Sequence, residues 1–186
     1  QEAADLAEAP KTETRLWRKP SFLSSQGQGK EYGNAVHAVM QYICYENCGS
    51  LKEVSREIQR LIDNGFLSEE QGSLVSADRI TKFFSTEIGN KLKNGVSNLR
   101  EFKFSILDNG NHYGENLEEE QVLLQGVVDC ALMEPDGITI IDFKTDKVTV
   151  ETVTGAAERY REQVETYAEA MHRIFEMPIK AKYLYF

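Results

Sequence analysis

The sequence predicts an α/β domain, with a block of helices first and a mixed sheet flanked by helices after it. Three observations predict it. Over residues 31–93 apolar side chains recur at the three- and four-residue spacing of amphipathic helices. From 100 to 144 the pattern changes to alternation, then to short β-branched runs around a turn. From 150 to 175 the helical period returns, Pro178 ends it, and Lys180 to Phe186 reads as a last strand.

Residues 1–29 are poor in apolar periodicity. Ser24 to Gly29 is a Ser/Gln/Gly stretch, so this segment reads as a linker or arm whose Trp17 and Phe22 could dock on the domain or a neighbour. Gly29-Lys30 is no phosphate loop, because Ser24 stands where the first glycine is needed and Glu31 where Ser or Thr should follow. The domain proper is expected over 30–186. A helical block occupies 30–95 and an αβ core 100–186.

Within the block, Val36, Val39, Met40 and Ile43 predict a helix from Glu31 to about Glu46, with His37 beside the stripe. Leu51, Val54, Ile58, Leu61 and Ile62 predict a second helix to Asn64, which Gly65 stops. Ser68 and Gln71 form a capping-box pattern. Ile80, Phe83, Phe84, Ile88 and Leu92 give one or two further helices whose aromatics are core. The role of this block is packing or substrate contact.

Beyond it, Phe102, Phe104 and Ile106 alternate with Glu101, Lys103 and Ser105, as in a half-exposed strand on which Glu101 is a surface acid. In the long helix of 150–175, Tyr160, Val164, Tyr167, Met171 and Ile174 form a core stripe. Gln163 and Tyr167, four apart, share a face.

The stretch Leu124 to Asp146, LQGVVDCALMEPDGITIIDFKTD, organises the chain as two strands around a turn. In Glu134-Pro135-Asp136-Gly137, proline presets φ, aspartate tolerates the bend and glycine supplies a positive φ. Asp129, Asp142 and Lys144 interrupt strands that otherwise look buried, and burying such groups is costly unless they are paired or bind a metal. Asp142 and Lys144 point to one face, with Phe143 to the other. A two-residue loop at Pro135-Asp136 sets Asp129 opposite Asp142, where the two acids repel unless a cation lies between them. A three-residue loop using Gly137 shifts the pairing by one and turns Asp129 away. An acid, a turn and D-x-K suit metal-dependent phosphodiester cleavage. Two carboxylates bind a hard cation that polarises the phosphate and acidifies a bound water, and the lysine orients that water or neutralises developing charge. The bland alternative is an ordinary Asp142–Lys144 salt bridge, which leaves Asp129 unexplained.

The composition sets bounds on these readings. At 186 residues, 41% hydrophobic and 27% charged, the chain has the make-up of a soluble globular protein with one substantial core. It lacks an apolar run of membrane-spanning length and an N-terminal signal pattern. It begins with Gln1 and stops at Phe186 inside an expected strand, as a piece of a longer polypeptide would. Cys44, Cys48 and Cys130 form neither a C-x-x-C pair nor an even set, so they read as reduced cytoplasmic thiols. A net charge of -9 argues against unaided DNA binding. Part of the surplus is local, in Glu115-Asn-Leu-Glu-Glu-Glu120, and much of the DNA affinity is expected from a larger assembly.

Four motifs stand in order on the expected elements: Gly33-Asn-Ala-Val-His37, Leu124-Gln-Gly-Val-Val-Asp129, Ile141-Asp-Phe-Lys144-Thr145 and Gln163-Val-Glu-Thr-Tyr167. Together they resemble the RecB-family, or PD-(D/E)XK, nuclease domain, in particular its AddA-type branch at the end of bacterial helicase-nucleases. Asn34 departs from the threonine common after the glycine. The resemblance implies a restriction-endonuclease-like sheet and Mg²⁺-dependent exonuclease cleavage of DNA, with Mn²⁺ able to substitute. It implies His37, Asp129, Asp142 and the Phe143 carbonyl as metal ligands, and Lys144 assisting the attacking water. Gln163 and Tyr167 would contact DNA or support the site, with a smaller supporting part for Glu101. As partners it implies a single DNA strand fed by an upstream helicase region of the same polypeptide, and an AddB-like subunit, in double-strand break repair in the bacterial cytoplasm. Relatives that hold an iron-sulfur cluster use four cysteines, so none is expected here. The rival readings are a catalytically silent nuclease fold used as a DNA-binding scaffold, and a nuclease of the same fold from phage recombination or CRISPR adaptation.

Overall fold

A computed structural model describes residues 28–110 and 120–186. Trp17, Phe22, most of the expected arm and the acidic run up to Glu119 lie outside the described residues. Five α-helices come first: α1 (Gln28–Tyr42), α2 (Leu51–Asp63), α3 (Glu69–Leu74), α4 (Ala77–Phe84) and α5 (Glu87–Lys93), with a 3-10 turn at Tyr45–Asn47. Then come β1 (Asn98–Asn109), β2 (Gln121–Glu134), β3 (Gly137–Phe143), α6 (Val153–Phe175) and β4 (Ile179–Tyr185). The first helix therefore starts earlier than periodicity suggested and takes in Gly29. It also stops at Tyr42, where the chain turns through Cys44.

The helix starts follow from local chemistry. Ser50, Ser68, Ser76 and Thr86 each accept a hydrogen bond from the backbone N–H three residues on, with a full capping box at Ser68–Gln71. Each such cap contributes about 1 kcal/mol. The far end of α1 is closed from outside. Arg100 donates to the carbonyls of Gln41 and Ile43 at 3.2 and 2.6 Å, while its guanidinium lies 3.4 Å from the centre of the Tyr45 ring. The buried Glu57 carboxylate accepts from Cys44 N–H, Asn47 and Arg60.

The sheet is mixed, in the order β1-β2-β3-β4, with the first two pairings antiparallel and β3–β4 parallel. The α1–α5 block packs on one face through Val39, Phe83, Phe84, Cys130, Ile141 and Phe143. Helix α6 covers the other through Val128, Ile138, Ile140, Tyr167 and Met171. The α6 stripe departs from expectation at its ends. Ile174 is exposed, and Tyr160 is only half-buried because it serves a polar cluster.

Two turns of backbone position the site. The β2–β3 turn has two residues, with Glu134 opposite Gly137 and the ladder running to Cys130 opposite Ile141. Gly137 has φ +144, and a Cβ there would lie 2.7 Å from the Pro178 carbonyl oxygen. Continued one step beyond its last pair, this register would set Asp129 opposite Asp142. The second turn is in β1 and β2 together. Leu99 and Phe102 both pack beneath α6, as do Ala131 and Val128 opposite them, although residues three apart on a regular strand face opposite ways. Both strands therefore turn over between these pairs. The turnover centres on Glu101, whose φ is +48, and on Asp129 across from it.

Candidate metal centre at the end of the central hairpin

The strand turnover gathers side chains that an unbroken pleat would keep apart. His37 Nδ1 lies 3.4 Å from Asp129 Oδ1 and 3.5 Å from Glu101 Oε1, and one ligand atom from each residue falls within 4.8 Å of the others. Helix α1 comes this close because Gly33, one turn before His37, packs on the chain after β3. A Cβ on Gly33 would stand 3.3 Å from Thr145 Oγ1. Glycine then histidine four residues on is thus a contact point followed by a candidate ligand on the same helix face.

Asp129 is held from its other side, where the Phe143 N–H donates to Oδ2 at 2.7 Å. Phe143 itself turns its ring into the core against Phe83. Asp142 and Lys144 are 1% and 8% exposed, with Lys144 Nζ 2.6 Å from Asp142 Oδ2. That oxygen is buried without a well-directed hydrogen bond, so the contact is an ion pair of poor angle. Lys144 also donates to Gln163 Oε1 at 2.9 Å, and Gln163 Nε2 donates to the Tyr167 hydroxyl at 2.6 Å. The Lys144 ammonium sits 4.2 Å from the centre of the Tyr160 ring, whose hydroxyl donates to Asp146 at 2.7 Å.

The charges are strained accordingly. Burial, followed by the nearby Asp129 charge, pushes Asp142 up to about 7 against the pull of Lys144 and His37. Burial alone would lower the His37 pKa, but the Asp129 and Glu101 carboxylates outweigh it and raise it to about 10. A buried acid whose proton affinity is raised by burial and by a neighbouring carboxylate, with an orphaned buried oxygen, is one that a divalent cation would relieve. The donor set of carboxylates and an imidazole fits such an ion.

The expected ligands are thus divided in this structure. His37 and Asp129 come together, while Asp142 faces its own lysine, since each of two opposed carboxylates takes the nearest cationic partner. Glu101 stands with the first pair: alternation alone reads it as a surface acid, the resemblance gives it a smaller supporting part, and its left-handed backbone turns it to within reach of His37. Sequence reasoning also missed Tyr160 and Asp146. Tyr160 fell on an apolar stripe, and its only signal was its position three residues before Gln163.

Such a hairpin, ending in opposed carboxylates with a buried lysine beside them and capped by helices on both faces, defines a nuclease class of restriction-endonuclease-like fold. The model of the PD-(D/E)XK nuclease superfamily matches residues 11–186, and the chain belongs to that superfamily. More particularly, it is similar to AddA proteins, each named as an ATP-dependent helicase/nuclease subunit. That of Bacillus licheniformis is 34% identical over 187 residues, covering 95% of this chain and 15% of the relative. That of Bacillus cytotoxicus is 32% identical over 197 residues, covering 100% and 16%. That of Clostridium novyi is 31% identical over 178 residues, covering 92% and 14%. The chain therefore spans about 15% of the length of the relatives it matches.

Proposed function

We propose that this chain is a metal-dependent DNA nuclease domain that hydrolyses phosphodiester bonds as part of a helicase-nuclease. The observation that carries the reading is the gathering of His37, Glu101 and Asp129 at the end of the hairpin, with the buried Asp142–Lys144 pair one step past its last paired rung. The residues to hold a divalent cation are His37, Asp129, Asp142 and the Phe143 carbonyl, with Glu101 added by its position. Mg²⁺ is the expected ion and Mn²⁺ a substitute. When bound, the cation supplies positive charge against the oxygens of a phosphodiester and acidifies adjacent water.

The chain's own groups do the rest. His37 Nδ1 carries a proton between two carboxylates, and surrendering it frees a ligand lone pair. Lys144, steadied by Gln163 and the Tyr160 ring, keeps an ammonium beside the reacting phosphate, where it orients water and offsets developing charge. Tyr167 holds Gln163, so the α6 motif acts on the lysine through two hydrogen bonds in series.

The similarity to AddA-type relatives supports a setting in double-strand break repair in the bacterial cytoplasm, as an exonuclease acting on a strand delivered by an upstream helicase region beside an AddB-like subunit. No helix among the described residues is long and apolar enough to cross a membrane. The test is cleavage of an end-labelled single-stranded DNA. Products should appear with Mg²⁺ or Mn²⁺ and vanish in EDTA, and cleavage undiminished by EDTA would refute the reading.

A further inference from the structure

Arg79 on α4 is, among the described residues, a cation without an acid. No carboxylate of that set lies within ion-pair reach of it, and its neighbour Asp78 is already engaged by Lys82 at 2.7 Å. Its Nη1 donates to the Tyr32 hydroxyl at 2.8 Å, and its Nη2 reaches the Lys144 carbonyl oxygen at 3.5 Å, the outer limit of a hydrogen bond. A guanidinium has five N–H donors, so most of this fork is unspent. Tyr32 precedes Gly33, the contact point of α1 on Thr145. Arg79 is therefore tied at once to the helix that carries His37 and to the strand end that carries Lys144. Together with Ser76 it lines a cleft bordered by Tyr32, Phe143, Lys144 and Tyr185.

The chain carries 30 acids against 21 bases, and the site itself gathers two carboxylates beside His37, with buried Asp142 near enough to feel the Asp129 charge. A polyanionic strand needs an unneutralised cation to be held there, and Lys144 is already paired with Asp142. We propose that Arg79, braced by Tyr32, binds a backbone phosphate of the nucleic-acid strand next to the scissile bond, on the helical-block side of β3. The planar fork suits a phosphate as it would suit no neutral group. This assignment rests on the nuclease reading and adds a binding residue to it.

The test uses the full chain with a labelled single-stranded oligodeoxynucleotide. Arg79→Ala should raise KM about tenfold with kcat within about twofold, the loss of one charge-assisted contact. With Ca²⁺ in place of Mg²⁺, the slope of log affinity against log salt should shrink by about 0.7, one phosphate on a single strand. Arg79→Lys should restore the slope but only part of the KM, because charge returns without the fork. Should Arg79→Ala fail to fold, Arg79→Lys and Tyr32→Phe carry the test, each with a KM raised by about threefold or more. An unchanged KM and salt slope in folded variants of a chain that does cut DNA overturns this proposal alone. A wild-type chain that neither binds nor cuts DNA overturns the nuclease reading and this inference with it.

Discussion

The two ends of the β2–β3 hairpin each place a lysine against carboxylates, and they treat the pair in opposite ways. At the turn, Lys180 bridges Glu134 at 3.2 Å and Asp136 at 2.8 Å in contact with solvent. At the far end, Lys144 and Asp142 meet at 2.6 Å with side chains 7% and 2% exposed. The first pair holds β4 to the turn, and water screens what strain it has. The second is enclosed by α1, α6 and the sheet, so its acid is pushed up to about 7 and one oxygen lacks a directed hydrogen bond. The same residue types give a fastening at one end and a buried, strained charge cluster at the other. What differs is burial and the second acid, Asp129, facing the buried one.

The largest effect should come from breaking the buried pair. Asp142→Ala and Lys144→Ala should each lower metal-dependent cleavage by about a thousandfold or more, the scale of losing an electrostatic group at a reacting centre. Lys180→Ala, at the solvated end, should leave the rate within about twofold and the stability little changed. Comparable rates for Lys144→Ala and Lys180→Ala in a cleavage assay would erase the contrast.

The next test is packing beside the same site. Gly126 pairs with Phe104 in the β1–β2 ladder, and a Cβ on it would sit 2.6 Å from the Phe104 ring, which lies edge-on to Tyr167 at 5.9 Å. Gly126→Ala should cost about 1–3 kcal/mol in urea unfolding and lower the rate by disturbing Tyr167, Gln163 and then Lys144. Unaltered stability and rate would mean the aromatic can yield freely.

The electrostatic difference also has a pH signature. His37 is raised from 6.5 to about 10 and Asp142 from 3.8 to about 7. In EDTA the His37 contribution to stability is complete below pH 6.5 and is lost as pH climbs through about 10. The Asp142 contribution is complete below pH 3.8 and is lost as pH climbs through about 7. Thermal unfolding of the metal-free protein should therefore fall to lower temperature as pH rises across both windows. Cation binding has the reverse dependence, because the ligands must shed protons. Near neutral pH the Mn²⁺ affinity should rise about tenfold per pH unit for each proton released. Calorimetry in buffers of differing ionisation heat should show that release, with less of it from His37→Gln, and equal release from the two proteins would contradict the shifted imidazole.

Much of this was legible because short-range chemistry and distant packing agree. Pro135-Asp136-Gly137 specifies a tight turn. Once the loop has two residues, the Asp129–Asp142 rung follows from the two-residue strand period. Serines before apolar periods mark the helix starts, and Gly33 with His37 marks the helix that reaches the site. Alternation alone misread Glu101 for a definite reason, although the family resemblance gave it a supporting part. Alternation assumes an unbroken pleat, and the left-handed turn at Glu101 breaks it without a glycine to announce it. Tyr160 was hidden because an aromatic on a helical stripe reads the same whether its ring packs on leucine or beneath an ammonium. Arg79 was hidden because its meaning lies in which acids are absent around it, and no spacing rule records that.

The central claim is that the acids facing across the hairpin, with His37, receive one divalent cation. Anomalous diffraction from crystals grown with Mn²⁺ tests it most directly. A peak within about 2.5 Å of oxygens of both Asp129 and Asp142 and of a His37 ring nitrogen is the predicted result. An active crystal form with no peak among those three residues would contradict the account.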